Sequence, residues 1–302
     1  MRAAGATASP VPKDNLRGIL WMLVYSAMVS GMHICVRLVS EGLPPFEIAF
    51  FRNLFGLVVV LPWFVQLGLA PLKTKRFGLL ATRGTLNTII MLGFFTAISI
   101  TPLAEVTALS FTAPIYATLF AIFWFREKIG MRRWAAILVG FIGIFVILRP
   151  GFQTISPGHM LVMGSALGWG ICLIIIKDLG RTESAVTITT YMSLVMAPLS
   201  LIPALFVWVT PNLEQLAWLL LLGTFGGLGQ LAMSQSLRLA DTHVVTPFDF
   251  SRLLFVSVLA YFLFGQIPDI YVWIGGTMIF GSIAFITYRE HQLKQRIMRP
   301  LH

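Results

Sequence analysis

Apolar residues fall in ten long stretches separated by short polar turns, at about 17–37, 46–66, 78–99, 103–125, 132–149, 158–176, 185–209, 214–237, 243–264 and 271–288. Each stretch is near the roughly 20 apolar residues that a helix needs to cross a bilayer. The turns are short and built from breakers, such as Gly42, Leu43, Pro44 and Pro45, or Thr210, Pro211 and Asn212. The runs are continuous and do not alternate, which excludes the closed barrel. The pattern therefore predicts an all-α integral membrane protein with ten transmembrane helices. Residues 1–15 form a polar, Ala/Pro-rich tail, and the first apolar run has no small-residue cleavage site behind it, so it reads as a retained helix.

The chain also says nearly the same thing twice. Residues 104–149 align without a gap on residues 243–288, an offset of 139, with Val106 on Val245, Thr107 on Thr246, Phe111 on Phe250, Phe125 on Phe264 and Trp134 on Trp273. Only ten of these 46 positions are identical, so the match needs independent support. Further upstream the offset is about 140, which places Gly18 on Gly158 and Arg37 on Lys177. The expected organisation is a cytoplasmic tail (1–15), a first five-helix repeat (16–150), a second five-helix repeat (157–289) and a C-terminal cytoplasmic tail (290–302). Because five is odd, the second repeat lies upside down relative to the first, an arrangement that carriers use to build two matching halves.

Charge supplies that support. Only 11% of residues are charged, against about 25% in soluble domains. Seventeen of the 22 Lys and Arg fall in loops and tails on the side of the N-terminus, two (Arg37 and Arg149) on the other side, and three (Arg52, Arg83 and Arg252) inside spans. This bias predicts a multi-pass protein of the inner (plasma) membrane with both termini cytoplasmic. The same distribution argues against nucleic acid as a partner despite the net charge of +10, because the basic residues are sorted by loop and form no patch. The expected partners are a small-molecule substrate and the lipid bilayer; oligomeric state is not legible.

No phosphate-binding G-x-x-x-x-G-K-[ST] loop, no H-E-x-x-H and no Cys/His cluster occurs, so no ATPase, metal site, cofactor or catalytic cluster is expected. Cys35 and Cys172 lie in apolar runs and read as buried thiols. A carrier driven by gradients or exchange fits this inventory, and an enzyme does not.

Ionisable residues within spans are the sharpest local signal, since each is costly unless it faces a partner or water. Asp249 and Arg252 are three apart on the ninth span, and either neutralise each other or line the cavity. Arg52 either snorkels outward or anchors a substrate carboxylate. Arg83, near the inner end of span three, reads as a snorkelling residue. Glu105 complements the dipole of span four or couples protons. His33 is a buried hydrogen-bonder or a proton group. Asn87, Gln230 and Gln235 read as bridges between helices, and Trp169 and Tyr191 as stacking surfaces for a substrate. Pro114 and Pro247 interrupt spans four and nine at similar depth, where freed backbone groups can meet cargo.

Five spans duplicated in opposite senses, the stretch A-E-V-T-A-L-S-F-T-A-P-I-Y from Ala104, F-R-E-K-I from Phe125 and F-E-I-A-F-F-R-N from Phe46 resemble the EamA family of the drug/metabolite transporter superfamily. The resemblance covers residues 16–289. It implies that Arg52 is the family's arginine of span two, that Glu127 is its acid after span four, and that the cavity lies between spans one, three, four, six, eight and nine. Gln266 departs from the acid found in the second copy. The stretches 46–52, 246–250 and 264–269 are similar to the branch that includes S-adenosylmethionine uptake carriers. Two cargo classes are thereby implied: S-adenosylmethionine-like or other nucleoside-bearing zwitterions moving in, or amino acids and related metabolites moving out. A sulfonium cargo would use Asp249 and Trp169; a carboxylate would use Arg52 or Arg252. A membrane enzyme or a receptor is the reading from a different class.

Overall fold

A computed structural model describes residues 14–67, 74, 76–125, 130–151, 154–179, 182–183, 185–240 and 242–298. Twelve helices lie among them: α1 (Asn15–Val39), α2 (Pro45–Leu67), α3 (Phe77–Ile100), α4 (Leu103–Ser110), α5 (Ala113–Phe125), α6 (Met131–Leu148), α7 (Pro157–Leu179), α8 (Ala185–Phe206), α9 (Leu213–Leu239), α10 (Thr242–Asp249), α11 (Ser251–Phe264) and α12 (Ile270–Met298). Among the described residues no strand forms, as expected where lipid cannot satisfy an open sheet edge. Eight stretches are long and apolar enough to cross a membrane, and Thr190–Phe206 is a shorter apolar helix.

Twelve helices arise because two crossings are broken. The fourth predicted span divides into α4 and α5, and the ninth into α10 and α11. The first break has a simple cause. Pro114 cannot donate to the carbonyl of Ser110, so the N–H groups of Phe111 and Thr112 turn to Ala108 and Leu109 at 3.3 and 3.1 Å in tighter three-residue bonds. In the second, Phe250 donates back to Pro247 at 3.4 Å. Phe111 and Phe250 occupy the same place in the two repeats, and their rings meet with centroids 5.6 Å apart.

Helix ends follow local chemistry. Asp14 caps α1 by accepting from the N–H of Arg17, and Asn212 with Gln215 forms a reciprocal capping box on α9. Helix α11 ends at Gly265, whose φ of 64° is the left-handed turn that glycine adopts without strain.

The packing is paired between repeats. The most extensive contacts are α1 on α9, α6 on α12, α3 on α7 and α2 on α8. Exchanging equivalent helices of the two repeats turns α1–α9 into α7–α3 and leaves α2–α8 and α6–α12 unchanged. The contacts obey this exchange residue by residue. A Cβ on Gly18 would clash with Ala240, and one on the equivalent Gly158 would clash with Thr101. Along α6–α12, Ala136 meets Ser282 while Gly143 meets Gly275, so the two helices run antiparallel. The backbones come closest at the glycine pair, where a Cβ on Gly143 would stand 2.7 Å from the carbonyl oxygen of Gly275.

The main core lies where α1, α2, α3, α4, α6, α11 and α12 converge, and includes Val36, Ile48, Ile98, Leu109, Ile147 and Leu253. Cys35 and Cys172 are both buried within spans. Leucine, isoleucine and phenylalanine also cover the outside of the bundle, for example Leu138, Phe145 and Phe262, which suits a chain whose surroundings are hydrocarbon.

Candidate substrate cavity

A cavity lies halfway along the bundle. Tyr25, Met32 and His33 of α1, Arg52 of α2, Asn87 and Phe94 of α3, Trp169 of α7, Gln230 of α9 and Arg252 of α11 face it. Its volume is about 110 Å³, room for several waters. Spans one, three, six, eight and nine contribute, as the resemblance implies. Helices α2 and α8 contribute as well, while no residue of α4 or α5 is among the lining residues.

The two cationic side chains of the wall differ in their partners. The guanidinium of Arg252 lies 3.4 Å from the carboxylate of Asp249 and 4.6 Å above the ring of Phe111, with its Nε unpartnered. Asp249 is further held by the hydroxyl of Ser26 at 3.4 Å, and Ser30 donates to the carbonyl oxygen of Arg252 at 3.3 Å, so α1 fixes both ends of the pair. Arg52 donates to the amide oxygen of Asn53 at 3.1 Å and has no ion-pair partner among the described residues. Asn53 is anchored in turn on Ser200 of α8. The cavity thus faces two guanidinium groups, and the Asp249 carboxylate, paired with Arg252, is not among the residues that line it.

The remaining wall is aromatic and soft. The ring of His33 meets the edge of Phe94 at 5.3 Å, and Phe94 meets Trp169 at 5.9 Å. His33 is buried and its Nδ1 has no partner, so it can still accept or donate one hydrogen bond to a guest. Asn87 both lines the cavity and donates to the sulfur of Met196 at 3.0 Å, combining the bridging role expected of it with contact to the void.

Three of the anticipated residues stand off the wall: Asp249, held behind Arg252 by the ion pair and by Ser26, and two that lie farther away. Tyr191 packs with Leu80, Leu179 and Ile188, edge-on to Phe77 at 5.9 Å, away from the cavity wall. Glu105 pairs with His159 of α7 at 2.6 Å, near the end of the bundle opposite the start of α1. Glu47 is fully buried and accepts from the N–H of Val209 at 3.1 Å, so it does not reach Arg52.

Polar contacts tie the helices together at both ends of the bundle. At the end where α1 begins, Arg76 pairs with Asp178 at 2.5 Å and Thr74 bonds Glu183 at 2.7 Å. At the opposite end, beside Glu105 and His159, Arg149 pairs with Asp269 at 2.5 Å and lies over Tyr271, and Gln266 accepts from the N–H of Leu103. Arg37 donates to the last carbonyl oxygens of α3, Ile98 and Ser99. The two basic residues that broke the loop charge rule, Arg37 and Arg149, are therefore both engaged in tertiary contacts.

Arg83 corrects an expectation. It does not snorkel. Only 8% exposed, it turns into the bundle toward the carbonyl oxygen of Ile188 and the sulfur of Met192.

The model of the EamA-like transporter family matches residues 16–149 and again 156–288. The chain belongs to the EamA-like transporter family. It is similar to the riboflavin transporter of Vibrio cholerae serotype O1, with 33% identity over 93% of this chain and 96% of that one. It is also similar to the S-adenosylmethionine uptake transporter of Rickettsia prowazekii, with 31% identity over 92% of this chain and 95% of the relative. A solved crystal structure shares the fold, with a TM-score of 0.63 over 91% of this chain and 98% of the other at 18% identity. As an EamA-family chain of many apolar helices, it is a multi-pass membrane transporter of small metabolites.

Proposed function

We propose that this EamA-family protein is a secondary carrier for a small metabolite that bears a flat nitrogen heterocycle, moved across the inner membrane by alternating access. It is a transporter and not an enzyme. Ten crossings in two inverted sets of five, with both termini cytoplasmic, make up the carrier; the antiparallel packing of α6 on α12 and the sorting of basic residues between loops support this layout.

The observation that carries the cargo class is the cavity wall. Aromatic rings stack on flat heterocycles at centroid separations of about 4.5–7 Å. Tyr25, Phe94 and Trp169 offer such surfaces, while Arg52, Asn87 and Gln230 offer donors to the acceptor edge of a ring. Riboflavin and S-adenosylmethionine, named for two relatives, both contain a fused nitrogen heterocycle, and this cavity supplies what the two have in common. A second reading, export of an amino acid or related carboxylate, rests on Arg52, which meets no carboxylate among the described residues.

Uptake into liposomes by the purified chain tests the assignment, with riboflavin and S-adenosylmethionine each offered under a proton gradient and without one. Saturable uptake of at least one is expected. No saturable flux of either removes the heterocycle reading.

A further inference from the structure

Arg83 is a buried cation. Its two contacts, to the carbonyl oxygen of Ile188 at 3.4 Å and the sulfur of Met192 at 3.6 Å, are long, and its Nε has no partner. No carboxylate pairs with it among the described residues. A guanidinium carries five donors, and burying it so poorly satisfied is costly unless something else completes it part of the time.

Its position says what that could be. Asn87, Met91 and Phe94 face the cavity from α3, and Arg83 stands on the same face of that helix, one turn from Asn87 toward the end where α1 begins. On α8, Met192 and Met196 keep the same step, one touching Arg83 and the other Asn87. Two turns beyond Arg83, Arg76 pairs with Asp178 and ties α3 to α7 at the end where α1 begins. Arg83 is thus placed between the cavity and the Arg76–Asp178 ion pair.

The repeat gives it a counterpart. Arg52 lies where α2 meets α9, close enough to Gly226 that a Cβ there would stand 3.3 Å from its Nε. Arg83 lies where α3 meets α8, which is the same interface with the repeats exchanged. Arg52 is seven residues from the start of α2, roughly 10 Å from one end of the bundle, and Arg83 is six residues from the start of α3, roughly 9 Å from the other end. Arg252 stands between them.

We infer that Arg83 is a second cargo-binding residue. It receives the acceptor edge of the cargo when the cavity opens at the end where α1 begins, as Arg52 does when it opens at the opposite end. This rests on the carrier reading above.

The test uses the full chain in right-side-out and inside-out vesicles, with riboflavin and S-adenosylmethionine as probes. The measured quantity is the ratio of the KM values from the two sides. Arg83→Gln is expected to shift that ratio about tenfold, weakening the side where α1 begins, the loss of one charge-assisted hydrogen bond. Arg52→Gln is expected to shift it in the opposite direction, and Arg83→Lys to shift it less than Arg83→Gln. Equal KM changes on both sides, or a lowered Tm with the ratio unmoved, overturn the inference while the carrier stands. Wild-type vesicles with no saturable flux of either probe overturn the heterocycle reading above and this inference with it. If Arg83→Gln does not fold, the Arg83→Lys ratio decides: unmoved, it overturns the inference.

Discussion

At the broken crossing of the first repeat stand Ser110 and Ala113; at the same places in the second stand Asp249 and Arg252. The backbone does nearly the same thing in both copies. Each crossing divides at a phenylalanine, and Phe111 and Phe250 pack on one another. The side chains do not. In the first copy, Ser110 turns its hydroxyl back onto the carbonyl oxygen of Thr107. In the second, Arg252 reaches the cavity with Asp249 behind it, and uses Phe111 of the first copy as its stacking surface. Duplication supplied the break, and divergence supplied the charge.

The largest effect is expected at Arg252. Arg252→Ala leaves Asp249 without its partner in a largely dehydrated place, which costs about 3 kcal/mol, and removes a cation from the cavity wall, so kcat/KM should fall about 100-fold. Paired flux and denaturation measurements check both figures. Making the second copy resemble the first, with Asp249→Ser and Arg252→Ala together, should restore stability to within about 1 kcal/mol of wild type, because no lone charge remains. Transport should stay lost. A double variant that carries cargo at the wild-type rate would show the pair to be structural.

Smaller effects are expected away from the breaks. Gly275→Val pushes a side chain into the backbone of α6 at Gly143, and should lower stability by about 2 kcal/mol in a detergent unfolding assay. The smallest effect is expected at Glu105. Glu105→Gln keeps an acceptor for His159 and lies outside the cavity, so uptake should change less than threefold and its response to an imposed pH gradient should not change. A lost gradient response would move Glu105 into the coupling machinery.

Much of this was legible in the chain. Ten apolar runs, the loop charge bias and the weak repeat together led to a duplicated helical carrier, and the family match covers both halves. The pairing of Asp249 with Arg252 was visible because three residues on a helix make neighbours without help from the rest of the fold. Tyr191 and Arg83 were placed less well for the opposite reason. Which face of a helix meets a cavity depends on the rotation of that helix against its neighbours, and an apolar run bound for lipid carries little periodicity to reveal it. Tyr191 turned toward Phe77, and Arg83 turned inward. Glu105 found a partner 54 residues away in His159, a distance that no local pattern spans.

Apolar runs, the doubling, the sorting of charge and the breaks in the helices could be read from the chain without its fold. These depend on length, hydropathy and backbone chemistry within a few turns. Only the packing of the helices put Arg52 and Arg252 on one cavity, turned Arg83 inward onto α8, and gave Arg37 and Arg149 partners on other helices. These depend on which antiparallel helices touch and at what level, set by close contacts such as Gly143 on Gly275 and Gly18 on Ala240 between residues more than a hundred positions apart.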